Sequence, residues 1–225
     1  LVGAFAFSGL LILGENYNPN SASNEQPPLL SIANDVHIPN LNDDSNNITR
    51  ALAQKIGQEI ANKKPSTEGG IKVSDPEEIV SRYLTEGIKN FNYESLKPII
   101  NDSDIKIITN TNRQLTQNYL ANLKNIISEN FKNLVTEPDK MNPADWNNLI
   151  KTYDEAIAEL YDLPVPQNLS AIHRQEISLI SAQKSIFEFI GNYQTDPLKA
   201  WLAITAHQTL NQEFANLSQE INKLL

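Results

Sequence analysis

The chain has 225 residues, 40% hydrophobic and 20% charged, which is enough apolar material for a packed core and argues against wholesale disorder. Its 18 basic and 27 acidic residues give a formal net charge of -9, and no stretch gathers Lys and Arg into a stripe, so nucleic acid is not an expected partner. With no cysteine, disulfides, thiolate metal sites, a cysteine nucleophile and a lipid-bearing cysteine anchor are all excluded.

The N-terminal segment carries the expected location. Leu1 to Gly14 hold no charge, and Leu1, Val2, Phe5, Phe7, Leu10, Leu11, Ile12 and Leu13 make the run strongly apolar. A membrane-spanning helix needs about 20 such residues, so the run is read as the end of a longer anchor helix. The competing reading, the apolar region of a cleaved secretory signal, lacks a small-x-small pattern where the run closes at Leu13-Gly14-Glu15-Asn16. Between Glu15 and Thr49 there is no Lys or Arg, and the first basic residue is Arg50. Cytoplasmic flanks are enriched in basic residues, so the chain beyond the anchor is expected outside the cytoplasm, in a single-pass topology. Type IV pilins also begin with an apolar helix, but carry a glutamate within it; Leu1-Val2-Gly3-Ala4-Phe5-Ala6 has no acid.

Residues 15–44 are rich in Asn, Ser, Pro and Asp, and Pro19, Pro27, Pro28 and Pro39 interrupt any helix, so an extended tether is expected. A helix is predicted from Ser45 to Lys64, with Ile48, Leu52, Ile56 and Ile60 at four-residue spacing. After a loop through Gly69-Gly70, Ser74 and Glu77 form a capping box for a helix whose apolar face is Ile79, Val80, Tyr83, Leu84, Ile88 and Phe91. Residues 94–110 are irregular: Pro98 ends a short helix, and Ile105, Ile107 and Ile108 suit either a short strand or a turn of helix, the start of a helix being preferred.

Four long helices complete the chain. Residues 111–135 carry Leu120, Leu123, Ile127, Phe131 and Leu134. Pro143 and Asp145 open a second helix with Trp146, Leu149, Ile150, Tyr153, Ile157 and Leu160 on one face, stopped by Leu163-Pro164-Val165-Pro166. Asn168 or Ser170 starts a third, with Leu169, Ile172, Ile177, Ile180, Phe187 and Ile190. Asp196 caps the last, with Pro197 in its first position and a seam of Ala200, Ala203, His207, Leu210, Phe214, Leu217, Ile221 and Leu224. The fold class expected is all-α: an anchor at 1–14, a tether at 15–44, a helical cap or small lobe at 45–110, and an antiparallel bundle at 111–225, since short connections make neighbouring helices antiparallel.

Few residues invite chemistry. His173 and His207 lie on apolar seams of adjacent predicted helices. The turn between them centres near residue 194, so their levels differ by roughly 13 Å at 1.5 Å per residue, too far for a shared ion. They are read as core histidines. No phosphate-binding glycine loop or nucleophile elbow is present, and no cofactor or metal is expected. Tyr153, Tyr161, Tyr193 and Trp201, with the two histidines, are candidate interaction or core-seam residues.

The pattern Tyr119, then Tyr153…Leu160-Tyr161…Val165-Pro166, His173, and Asp196-Pro197-Leu198-x-Ala200 resembles uncharacterised single-pass envelope proteins of small-genome candidate-phylum bacteria, over roughly residues 100–225. The resemblance implies an envelope location, a helical fold and, through relatives encoded near pilus or secretion genes, protein partners; it implies no catalytic residue. The expected function is a non-enzymatic, membrane-anchored extracytoplasmic module that binds or scaffolds proteins of an envelope, pilus or secretion assembly, with homo-oligomerisation open. A small-ligand-binding domain and a cell-wall hydrolase are the alternatives. The first predicts an exposed aromatic patch, the second an apolar pocket with convergent polar groups, the third paired carboxylates in a groove.

Overall fold

The computed structural model describes residues 47–62, 81–82, 85, 91–132 and 141–223. The expected anchor, the tether and most of the helix expected from Ser74 lie outside the described residues, although Ser81, Arg82 and Thr85 within that helix are helical. The described residues are mainly α-helical: α1 (Ile48–Asn62), α2 (Arg113–Phe131), α3 (Pro143–Asp162), α4 (Ser170–Gly191) and α5 (Pro197–Asn222). Among them no helix is long and apolar enough to cross a membrane.

Side chains set the helix starts. The Asn47 carboxamide oxygen accepts from the Arg50 N–H at 2.8 Å, and that of Asn112 from the Leu115 N–H at 2.9 Å. At α3, Asn142 and Asp145 form a reciprocal capping box, with Pro143 in the first turn where a missing N–H costs nothing. α3 ends at Leu163, whose extended backbone is the conformation that the following Pro164 demands. The abundance of Asn thus has a local use, since its short amide replaces backbone partners that a first helical turn lacks.

Residues 105–108 correct the expected helix start. Ile107–Ile108 form a strand, β1, parallel to β2 (Val165–Pro166), with Ile107 opposite Val165 and Ile108 opposite Pro166. The Val165 N–H donates to the Lys106 carbonyl at 2.8 Å. Pro166 has no N–H to offer, which keeps the ladder this short. β-Branched isoleucines beside an extended proline-bounded segment found a strand partner 58 residues away in sequence, which local periodicity cannot show.

Each bundle helix packs chiefly on its sequence neighbour, α2 on α3, α3 on α4 and α4 on α5, while α1 lies on α5. The core gathers Tyr119, Leu123 and Ile127 from α2, Leu149, Tyr153 and Leu160 from α3, a broad face of α4, and Ala203, Leu210, Phe214 and Leu217 from α5. Leu96 and Ile105 join the same core, so the segment before α2 is packed into the bundle. A smaller cluster of Ile48, Leu198 and Leu202 seals α1 to α5, and Phe91 touches both clusters.

Candidate functional site

The predicted site residues separate into core and surface. Tyr153, His173 and His207 are buried, Tyr161 is half-buried, and Tyr193 and Trp201 are exposed at 55% and 46%. The structure does not bring the six together.

His173 is held from both sides. Its Nε2 lies 3.0 Å from the Leu160 carbonyl, which can only accept, so Nε2 carries the proton. Nδ1 then accepts from the Tyr119 hydroxyl at 3.0 Å. Burial lowers the His173 pKa, with the Leu160 bond opposing. One turn further along α4, Glu176 is buried and its pKa is pushed up to about 7 by desolvation. His207 sits elsewhere: its Nδ1 is 3.2 Å from the Asn211 amide nitrogen, its ring lies 5.8 Å from that of Phe187, and burial lowers its pKa to about 4. Among the described residues no group of three or more His, Asp and Glu is placed to hold a metal ion.

A concave feature lies at the opposite end of α4 from His173. A cleft of about 660 Å³ is bounded by the start of α3 (Trp146, Asn147, Ile150), the end of α4 (Phe187, Glu188, Phe189), the following turn (Asn192, Thr195) and the start of α5 (Asp196, Lys199), with Asn47 at its rim. Trp146 reaches this wall because α4 ends in glycine. A Cβ on Gly191 would stand 3.2 Å from the indole, a spacing that real Cβ atoms seldom show.

Two charged residues of the cleft are buried and are used differently. Asp196, 7% exposed, caps two helices at once. Its carboxylate accepts from the Lys199 N–H of its own helix at 3.2 Å, and from the Ile48 N–H at 2.7 Å, the Thr49 N–H at 3.1 Å and the Thr49 hydroxyl at 2.6 Å of α1. The Thr49 oxygen in turn accepts from the Leu198 N–H at 3.0 Å. Two helix N-termini converge on one carboxylate, whose negative charge both dipoles favour. Lys199 is 9% exposed, and its ammonium lies 4.1 Å from the centre of the Phe189 ring. No carboxylate pairs with it among the described residues.

Asp196 is legible in the sequence as a cap for one helix, and its second role is not. The burial of Lys199 and Glu176 and the contact between Trp146 and Gly191 belong to the tertiary structure. A signal for Lys199 is present in the sequence: it sits among Leu198, Ala200, Leu202 and Ala203, all of them buried. Compared with known proteins, the chain matches no protein-family model, no curated protein and no solved structure.

Proposed function

We propose that this chain is a non-enzymatic binding module that engages its partner with the end of the bundle formed by α3, α4 and the α4–α5 turn, and that it is held at the outer face of a membrane by its N-terminal apolar segment. The cleft carries the binding reading: Trp146, Ile150, Phe187 and Phe189 supply an apolar lining, and a few polar groups converge on it. Tyr193 lies exposed in the turn that forms one rim, and Trp201 is exposed on α5 within one turn of Lys199. Exposed aromatic residues beside a concave apolar site are the usual composition of a protein-binding surface. The hydrolase alternative gains no support here, because both oxygens of Asp196 are engaged as helix caps and Glu188 is paired with Lys184 at 3.3 Å. The location rests on the apolar run Leu1–Gly14 and the flank without Lys or Arg up to Thr49.

A photo-crosslinking residue at Tyr193 tests the binding end, with the same residue at Ile99, exposed at 88%, as the control surface. A discrete adduct from Tyr193 in cell envelopes, identified by mass spectrometry, reduced by Trp146→Ala and not formed from Ile99, is the expected result. Equal labelling from both positions sinks the assignment of this end. The location has its own test: a protease site inserted after Ser23 should be cut from outside once the cell wall is opened, and protection in intact protoplasts reverses the topology.

A further inference from the structure

We infer that the cleft binds an apolar group bearing a single carboxylate, the chemistry shared by the C-terminal residue of a peptide and by a free aryl or alkyl acid; this rests on the binding reading above. The first ground is the state of Lys199. Lys199 lies nine-tenths buried in the wall of the cleft with its ammonium 4.1 Å from the centre of the Phe189 ring, and no carboxylate pairs with it among the described residues. An ammonium held at a cleft wall without a carboxylate partner is one that an incoming anion can pair with. The second ground is that Lys199 is the one cation among the described residues lining the cleft, and the carboxylates there have other partners. Asp196 is engaged by two helix N-termini, and Glu188 shares the Lys184 ammonium with Asp154, so Lys199 is the cation open to a ligand.

The class of anion follows from the donors. Phosphate groups are held by several converging N–H groups or by a guanidinium fork, and here the N–H groups at the start of α5 are occupied by Asp196 and Thr49. One ammonium suits one negative charge. The lining beside it is aromatic and aliphatic, with Trp146 positioned by the absence of a side chain at Gly191, so the body attached to the carboxylate is apolar. The volume of about 660 Å³ lies within the range of small-molecule and short-peptide sites.

The chain has two tryptophans, Trp146 in the cleft wall and Trp201 outside it, so 5-fluorotryptophan labelling of the full chain gives one signal for the site and one control. Four probes are titrated: 3-phenylpropanoate, 3-phenylpropanamide, N-acetyl-alanyl-phenylalanine and its C-terminal amide. Saturable movement of the Trp146 signal, with each acid bound at least about tenfold more tightly than its amide, is the expected result, since a buried charged hydrogen bond commonly carries that much. Lys199→Met should bring the acids to the level of the amides, and Lys199→Arg should keep the preference; thermal unfolding of both variants shows that the fold is intact. Tighter binding of the peptide acid identifies a polypeptide C-terminus as the source, and tighter binding of phenylpropanoate a free acid. Equal binding of acid and amide overturns the carboxylate assignment while leaving the cleft as a binding end. Failure of all four probes to move the Trp146 signal overturns the assignment as well, and the Tyr193 crosslink then decides separately whether the binding end stands.

Discussion

Glu176 and His207 are two buried ionisable groups with opposite pH signatures. Desolvation raises the Glu176 pKa from 4.5 to about 7, so its contribution to stability is complete below 4.5 and is lost as pH rises through 7. Desolvation lowers the His207 pKa from 6.5 to about 4, so its contribution is complete above 6.5 and is lost as pH falls through 4. Between pH 7 and pH 5 each is worth about 2 kcal/mol in opposite directions, so the two largely offset each other in the wild-type chain. Single variants unmask the slopes. Glu176→Gln should lose about 2 kcal/mol between pH 7 and pH 5, with His173, also held down by burial, adding to the loss. His207→Leu should gain stability over the same interval, because Leu fills a seam position between Ala203 and Leu210 and leaves Glu176 to dominate. Urea unfolding at both pH values checks this, and parallel profiles for all three proteins would refute the assignment. The histidines were legible as core residues because they fall on apolar seams. Glu176 was not, since an acid three residues from His173 on a long helix reads as part of a solvated face until the surrounding helices are in place.

Helices were legible in proportion to how much of their stability is local. Pro143 with Asp145, and Asp196 with Pro197, mark helix starts through chemistry confined to one turn, and the seam of α5 from Ala200 to Ile221 is buried as its spacing predicts. The β1–β2 pair was not legible, because two residues contain no period and their partner is remote. The same distinction predicts what single changes do to elements. Asp196→Ala removes the side-chain cap of α5 and, at the same time, all the carboxylate contacts of α1, each cap being worth about 1 kcal/mol or somewhat more. The expected loss is about 3 kcal/mol, with amide exchange accelerating in α1 well beyond the rest of the bundle, because α1 is joined to α5 through this residue and a small apolar cluster. A uniform acceleration across all helices would show that the shared cap is not a local hinge. Gly57 makes the opposite case. It lies in the interior of α1, exposed, with nothing within 4 Å of the position a Cβ would take. Gly57→Ala should therefore stabilise α1 by about 1 kcal/mol, the ordinary helix preference of Ala over Gly, seen as slower amide exchange in α1.

At the scale of the molecule, the helical class followed from composition and periodicity, whereas the cleft did not, because it is made by three segments distant in sequence. Trp146 meets Gly191 across two helices, and Asn47 meets Thr195 through a hydrogen bond of 2.6 Å that spans 148 positions. No window of sequence contains either pair. The position of α1 decides how much of the N-terminal region the bundle needs. Its first turn is satisfied by Asn47 and Asp196, so everything α1 requires at its start begins at residue 47. Removal of residues 1–46 should then leave a cooperatively unfolding helical protein with α1 still seated on α5. Removal of residues 1–62 is a different operation. It takes away three of the four hydrogen bonds to the Asp196 carboxylate and uncovers Leu198 and Leu202, which now pack on Ile48. Exposing two leucines costs about 4 kcal/mol, and the half-emptied carboxylate adds to that. Chemical denaturation of the two truncated proteins beside the full chain reads the difference directly. Equal stability of the two would mean that α1 is an appendage, and that Asp196 acts as an ordinary cap for α5 alone.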